Sequence, residues 1–183
     1  MSRARRFWLL LIVLAAVLVP DQWSKRWAIA ELKGEPVASY LGDTVRVQYA
    51  ENPGAFLSLL AGTPDSVRFA VLTLANGAVL LGVVVFVLGR KSLDRWSFWA
   101  FALVAAGGIG NLIDRVAYDG VVIDFMNVGI GGLRTGIFNV ADMAIMAGFF
   151  MLLAVVVLPP KTFESAEKPE AAEATAARGP SRC

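Results

Sequence analysis

The chain has 183 residues, of which 57% are hydrophobic and 17% are charged, and its formal net charge is only +2. It contains no His, and its single Cys is the last residue, Cys183. These counts exclude Ser–His–Asp and Cys–His catalysis, an internal disulfide framework and a cysteine/histidine metal site, so no metal or cofactor is expected. The near-neutral charge gives no support to nucleic-acid binding.

Four apolar blocks predict four membrane-spanning helices. The first block, Phe7–Pro20, is too short to cross ~30 Å of hydrocarbon at 1.5 Å per residue, so its span must continue through Asp21. A signal peptide is the alternative interpretation, but no small-x-small cleavage site ends the block and three further spans follow. The spans are predicted at about 7–30, 67–88, 96–114 and 137–158.

The distribution of Lys and Arg predicts the orientation. Loop 89–95 and both termini are basic, whereas loop 31–66 holds only two basic residues. Both termini are therefore predicted to be cytoplasmic, and loops 31–66 and 115–136 external. Residues 1–160 are interpreted as one membrane-embedded domain. Residues 161–183, rich in Ala, Glu and Pro, are interpreted as a disordered cytoplasmic tail.

The external loops predict a small sheet. Thr44–Tyr49 alternates between polar and apolar residues with period two, as a half-buried strand does. Val121–Phe125 is short and rich in β-branched residues. Asn127–Gly136 contains four glycines and is interpreted as a flexible or turning segment.

On this topology Asp21, Asp114, Asp124 and Asp142 all fall near the external face. Charge inside a membrane costs at least ~2.5–3.5 kcal/mol per residue, so such groups are kept for a partner or a function. Structural interpretations are open for three of them. Asp142 fits the first turn of a helix capped by Asn139, Asp114–Arg115 fits an interfacial ion pair, and Asp21–Lys25 fits an i,i+4 pair.

Asp124 is the hardest of the four to explain structurally, because no basic residue lies within eight positions of it. Two neighbouring Asp side chains resist ionising together, so one keeps a proton near neutral pH. The ionised carboxylate can then take a proton from water while the protonated one donates to a peptide carbonyl. The residues are therefore compatible with aspartic-protease chemistry, which requires neither His nor metal.

Five segments carry a family resemblance. They are Asp21–Lys25, Glu51–Phe56, Gly110–Arg115, Val122–Phe125 and Phe138–Asp142. In this order they resemble bacterial lipoprotein signal peptidase (signal peptidase II), over roughly residues 7–158. One departure is that the aromatic residue of the second segment, Phe56, stands one position earlier than the family often has it, which leaves its role open.

The resemblance implies an all-α membrane protein, a four-transmembrane-helix bundle with a small extracytoplasmic β-cradle. It implies a multi-pass aspartic endopeptidase of the bacterial cytoplasmic (inner) membrane, with its active site near the extracytoplasmic face. The implied reaction removes the signal peptide from diacylglyceryl-modified prolipoproteins by cleaving just before the lipidated cysteine. The implied catalytic pair is Asp124 and Asp142. The implied site-supporting or substrate-binding residues are Asp21, Lys25, Asn52, Gly54, Asn111, Asp114, Arg115, Asn139 and Ala141.

The implied partners are the diacylglyceryl prolipoprotein, membrane lipid and globomycin-type inhibitors, and we expect a monomer. The small residues of Ala105–Gly110 are expected to leave room for the signal helix of the substrate. Two other classes stay open from the residues themselves. One is a proton-coupled transporter or channel, since intramembrane Asp residues serve as proton relays. The other is a noncatalytic assembly protein with a polar external surface.

Overall fold

Long helices make up most of the structure, a computed structural model that describes residues 1–54, 64–90 and 92–158. The helices of these residues are α1 (Arg3–Glu31), α2 (Asp65–Gly89), α3 (Arg95–Ala117) and α4 (Val140–Val157). Each contains a stretch long and apolar enough to cross a membrane, so the four predicted spans are confirmed. The predicted tail 161–183 and the role of Phe56 concern residues outside the described ranges.

Helix α3 is the centre of the bundle and packs against α1, α2 and α4. Its glycines allow this close approach. A Cβ on Gly108 would clash with Leu80 of α2, and a Cβ on Gly110 would lie 2.8 Å from Asp21 Oδ2 of α1 and 3.1 Å from Ala141 Cβ of α4. The space beside these small residues is thus occupied by the chain's own helices. The expectation that they leave room for a substrate helix is wrong.

Arg6 ties the beginning of α1 to the end of α2. Its buried guanidinium donates to the carbonyl oxygens of Val87, at 3.1 Å, and of Arg90. These carbonyls belong to the last turn of α2 or follow it, where helix carbonyls lack intrahelical partners. The hydrogen bonds therefore fix two helix ends against each other on the side of the bundle remote from the sheet.

One four-stranded antiparallel sheet lies at the other end, here called the sheet end. Its strands are β1 (Ala38–Tyr40), β2 (Val45–Asn52), β3 (Val122–Ile130) and β4 (Leu133–Arg134), in the order β1-β2-β3-β4. The first two strands connect α1 to α2, and the last two connect α3 to α4. The sheet is therefore held where α1 and α3 end and α2 and α4 begin. The small predicted sheet is confirmed.

Strand β3 is longer than the sequence predicts. It continues through Asn127 to Ile130, so the interpretation of Asn127–Gly136 as flexible or turning is wrong for its first part. Pairing with β2 and β4 explains the difference, because Val128 lies opposite Val45 and Gly129 lies opposite Arg134. Position 129 requires a glycine within the strand, because a Cβ there would clash with the β4 backbone.

Gly148 of α4 provides a test of the close contact between α3 and α4. A Cβ on Gly148 would lie 2.6 Å from the Ala100 carbonyl oxygen, whereas Gly82 of α2 has nothing within 4 Å of that position. We expect Gly148→Ala to lower stability by roughly 1–3 kcal/mol through overpacking, and Gly82→Ala to leave it unchanged or raise it. Thermal unfolding in detergent measures both, and equal melting temperatures would contradict the packing described.

Candidate active site

A fully buried ion cluster joins α1 to α3 at the sheet end. Lys25 Nζ lies 2.9 Å from Asp21 Oδ2 and 2.8 Å from Asp114 Oδ2, and all three side chains are at most 1% exposed. Nζ also donates to Asn111 Oδ1 at 3.1 Å, so each of its three N–H bonds has an acceptor. The predicted Asp21–Lys25 pair is confirmed.

The predicted pairing of Asp114 with Arg115 is wrong, because the cation that pairs with Asp114 is Lys25. The Arg115 guanidinium instead donates to the main-chain carbonyl of Asn111 at 3.3 Å. Its Nε is buried and has no hydrogen-bond partner within the described ranges. Successive residues of a helix point about 100° apart, so Asp114 and Arg115 serve different neighbours.

The two carboxylates of the cluster also hold the main chain at two remote places. Asp21 Oδ1 accepts from the Ala141 N–H at 2.8 Å, and Asp114 Oδ2 accepts from the Ile123 N–H at 3.1 Å. Ala141 directly precedes Asp142, and Ile123 directly precedes Asp124. The buried cluster therefore fixes the backbone immediately before each of these Asp residues.

Gln22 completes the cluster and was missed by the sequence analysis. Its Nε2 lies 2.9 Å from Asp114 Oδ1, 3.2 Å from Asp21 Oδ2 and 3.3 Å from the Gly110 carbonyl oxygen. Two carboxylates share a single ammonium, and the Gln22 amide supplies further N–H donors without adding charge. A polar residue directly after Asp21, in the last turns of a membrane span, was the signal available in the sequence.

Asn139 brings Asp124 and Asp142 together. It caps α4: its Oδ1 accepts from the Asp142 N–H at 2.9 Å, and its own N–H donates to Asp142 Oδ2 at 3.2 Å. Its Nδ2 donates to Asp124 Oδ1 at 2.7 Å. The predicted N-cap is confirmed, and one residue contacts both carboxylates.

Asn111 connects the ion cluster to Asp142 through hydrogen bonds. Its Nδ2 donates to Asp142 Oδ1 at 2.8 Å, while its Oδ1 faces the Lys25 ammonium. An amide has one acceptor side and one donor side, so the position of Lys25 determines that the N–H bonds of Asn111 face Asp142. A neutral amide thereby separates the ammonium from that carboxylate.

A β-bulge places Asn52 beside Asp124. Between the pairs Val47–Met126 and Ala50–Asp124, β2 has one residue more than β3, which turns Asn52 to the face that carries Asp124. Asn52 Nδ2 donates to Asp124 Oδ2 at 3.0 Å, and its Oδ1 accepts from the Gly54 N–H at 3.0 Å. Gly54 has φ +88°, a conformation that glycine adopts readily.

The surroundings of Asp124 favour its protonated form. Its side chain is only 2% exposed, and this burial is the main reason that its pKa rises from 3.8 to about 6. The negative charge of Asp142 also raises the pKa, whereas the hydrogen bonds from Asn52 and Asn139 lower it. Asp124 therefore keeps its proton closer to neutral pH than an exposed Asp does.

The fold and this group of side chains define a multi-pass membrane protein. Two adjacent carboxylates, each hydrogen-bonded to asparagine residues, lie at one end of its helices. Two solved structures described as bacterial membrane enzymes studied by the in meso method share the fold. One gives a TM-score of 0.70 at 23% identity, covering 81% of this chain and 92% of that chain. The other gives 0.67 at 24% identity, covering 81% and 87%.

Residues 13–158 match the family model for signal peptidase (SPase) II. A lipoprotein signal peptidase of Oleidesulfovibrio alaskensis is 37% identical over 154 residues, 82% of this chain and 96% of that relative. One of Methylocella silvestris is 37% identical over 145 residues, 78% of this chain and 81% of the relative. The chain belongs to the signal peptidase II family.

Lys25→Met tests the buried cluster, because it leaves two buried carboxylates without their cation. We expect it to lower stability by roughly 3–5 kcal/mol. Adding Asp114→Asn to Lys25→Met removes one of the stranded charges, and we expect this double variant to melt at a higher temperature than Lys25→Met alone. Thermal unfolding in one detergent compares them. A double variant less stable than Lys25→Met would argue against charge compensation.

Proposed function

We propose that this chain is an aspartic endopeptidase that removes the signal peptide from diacylglyceryl prolipoproteins, cutting just before the lipidated cysteine. The observation that carries the proposal is the pair Asp124 and Asp142, joined through Asn139. Family membership supports the substrate, because the curated relatives are lipoprotein signal peptidases. The absence of His from the chain leaves carboxylates as its natural acid–base groups near neutral pH.

In the proposed reaction Asp124 carries the proton of the pair and Asp142 is ionised. Asp142 takes a proton from a water molecule, which attacks the carbonyl carbon preceding the cysteine, while Asp124 donates its proton to the carbonyl oxygen. The tetrahedral intermediate then collapses. The C–N bond breaks, the cysteine nitrogen takes a proton from Asp142, and the intermediate returns a proton to Asp124. The deeper burial of Asp124 supports this assignment.

In this proposal the remaining site residues orient the catalytic pair or bind the substrate and take no part in proton transfer. Asp21, Lys25 and Asp114 hold the main chain of Ala141 and of the strand beside Asp124. Asn111 orients Asp142, and Asn52, supported by Gly54, orients Asp124. Arg115, whose buried Nε has no partner within the described ranges, is proposed to bind a polar group of the substrate.

Exposed tryptophans support a site at the lipid–water boundary. Trp23 and Trp27 are exposed near the sheet end of α1, and Trp8 and Trp96 are exposed near the opposite end of the bundle, as in the aromatic belts of membrane proteins. The Trp27 ring lies 6.4 Å from that of Phe125, the residue after Asp124. The acyl chains of a bound substrate could therefore stay in lipid while its scissile bond reaches the pair.

The proposed location is the bacterial inner membrane, with the sheet end extracytoplasmic and both termini cytoplasmic, since the basic residues cluster at the termini and in loop 89–95. Globomycin-type peptides are proposed to occupy the same site. A monomer is proposed because the helical glycines of Gly107–Gly110 contact the chain's own helices.

Asp124→Asn and Asp142→Asn test the catalytic pair. We expect each to lower cleavage of a diacylglyceryl prolipoprotein at least about a thousandfold, because an amide cannot exchange the required proton. Asp119→Asn, at an exposed position outside the site, is the matched control and should keep normal turnover. Membrane insertion and melting temperature are measured for all three. Near-normal turnover of either site variant would refute the assignment.

Asn52→Ala tests which carboxylate carries the proton. The Asn52 hydrogen bond lowers the pKa of Asp124, so its removal raises that pKa. If Asp124 must be protonated, activity is lost as pH rises through its pKa, and the alkaline limb of the kcat/KM profile should move to higher pH in Asn52→Ala. A limb that stays in place or moves to lower pH would contradict the assignment.

A further inference from the structure

One face of α2 packs against α3, and two of its residues are polar. Phe69 lies against Gly120 and Leu80 lies against Gly108, and residues three or four apart between and beyond them share this face. This set, here called the α2 stripe, consists of Phe69, Thr73, Asn76, Leu80, Val83 and Val87. Its second half is wholly apolar. Thr73 and Asn76 lie in the first half, which is nearer the sheet end.

Neither polar side chain of the α2 stripe has a hydrogen-bond partner among the residues that the structure describes. Thr73 Oγ1 is buried without one, and the half-buried amide of Asn76 also makes no hydrogen bond there. Both residues lie inside the part of α2 that is long and apolar enough to span a membrane. Polar groups on such a helix ordinarily bond to a neighbouring helix, because lipid offers them no partner. A group from outside the chain would satisfy them.

These two residues are level with the candidate active site. The contacts of the α2 stripe show that α2 and α3 are antiparallel, so Thr73 comes opposite the turn of α3 that holds Arg115. Asn76 comes opposite the preceding turn, which holds Asn111. The amide of Asn111 contacts Asp142, and Arg115 Nε is itself buried without a partner within the described ranges. Three polar groups that lack partners therefore occur at the level of the carboxylate pair.

A groove between α2 and α4 lies beside these groups. Gly107 of α3 packs against α4, and Gly108, about 100° further round the helix, packs against α2. Arg115 is two turns beyond Gly108 and projects between these two directions. In the part of the chain that the structure describes, α2 packs against α3 and α1 but not closely against α4. Asn76 lies on the edge of the α2 stripe opposite Val84, which packs against the core that includes α1 residues. Asn76 therefore faces the groove.

We propose that Thr73 and Asn76 donate hydrogen bonds to main-chain carbonyl groups of the substrate's signal segment, just before the cleaved bond. This inference rests on the proposed function. A signal helix must end before the bond that reaches the catalytic pair, and the last carbonyls of a helix lack partners, which is costly in lipid.

The two side chains suit this task. The Asn76 amide offers two N–H donors, and the Thr73 hydroxyl offers one and can turn between two rotamers in a helix. Donors one turn apart on α2 match successive carbonyls of a chain that runs along the groove. The diacylglyceryl group also carries ester carbonyls, so the experiment must separate these from the peptide carbonyls.

Thr73→Val and Asn76→Leu test the contact, because each nearly keeps the size of the side chain and removes its polar atoms. Leu74→Val is the matched control, since Leu74 is 71% exposed and points away from the α2 stripe on the same turn. Affinity for a fluorescent diacylglyceryl prolipoprotein peptide is measured in an Asp124→Asn background, where binding is observed without cleavage. KM, kcat and the melting temperature are measured in the same detergent on chains that retain Asp124.

We expect each variant to weaken peptide binding about three- to tenfold, the factor expected for one lost hydrogen bond, and to raise KM more than it lowers kcat. Thr73→Val should keep or raise the melting temperature, because it removes a buried hydroxyl that has no partner. A merely structural role would instead lower the melting temperature and leave the affinity unchanged. Affinity equal to that of Leu74→Val would overturn the proposal.

A peptide with ether-linked alkyl chains identifies the acceptor, because its lipid has no ester carbonyls. We expect both variants to lose the same affinity for this peptide as for the ester-linked one. If they bind the ether-linked peptide as well as their background chain does, the lipid esters are the acceptors and the proposal is wrong. A chain with Asp124 intact that binds the peptide without cleaving it would contradict the proposed function and leave the comparison of affinities intact.

Discussion

The buried ammonium of Lys25 is the interaction on which the site geometry depends. Desolvating three charged groups costs several kcal/mol each unless charge and hydrogen bonds compensate, and here every N–H bond of the ammonium has an acceptor. An apolar replacement of the cluster could be equally stable. It would not hold the N–H groups of Ala141 and Ile123, which place Asp142 and Asp124. The cluster therefore serves geometry more than stability.

Charged and neutral hydrogen-bond donors lie at different distances from the carboxylate pair. Asn52, Asn111 and Asn139 contact the pair directly, whereas Lys25 acts through the amide of Asn111. A cation in direct contact would favour ionisation of both carboxylates and remove the proton that the proposed reaction needs. Amides orient the same oxygens while the burial of Asp124 keeps its pKa raised.

Local features of this structure could be predicted, and contacts between distant segments could not. Apolar blocks predicted the spans, and short spacings predicted the Asn139 cap and the Asp21–Lys25 pair. The true partner of Asp114 lies on another helix, and no periodicity encodes it. Strand β3 continues through Gly129 because pairing outweighs local propensity. The family resemblance brought Asn52 to the site, but only the bulge in β2 explains how it reaches Asp124.

A peptidase for a lipid-anchored bond has conflicting requirements, since its carboxylates need water while its substrate remains in lipid. The sheet offers a physical solution. Asp124 and the apolar residues beyond it share one face of β3, and the amides of Asn52 and Asn139 orient Asp124 near the beginning of that strand. Water is required at Asp124, whereas the side chains further along this face of β3 are apolar. The alternation of a single strand thus places polar chemistry at the edge of an apolar surface.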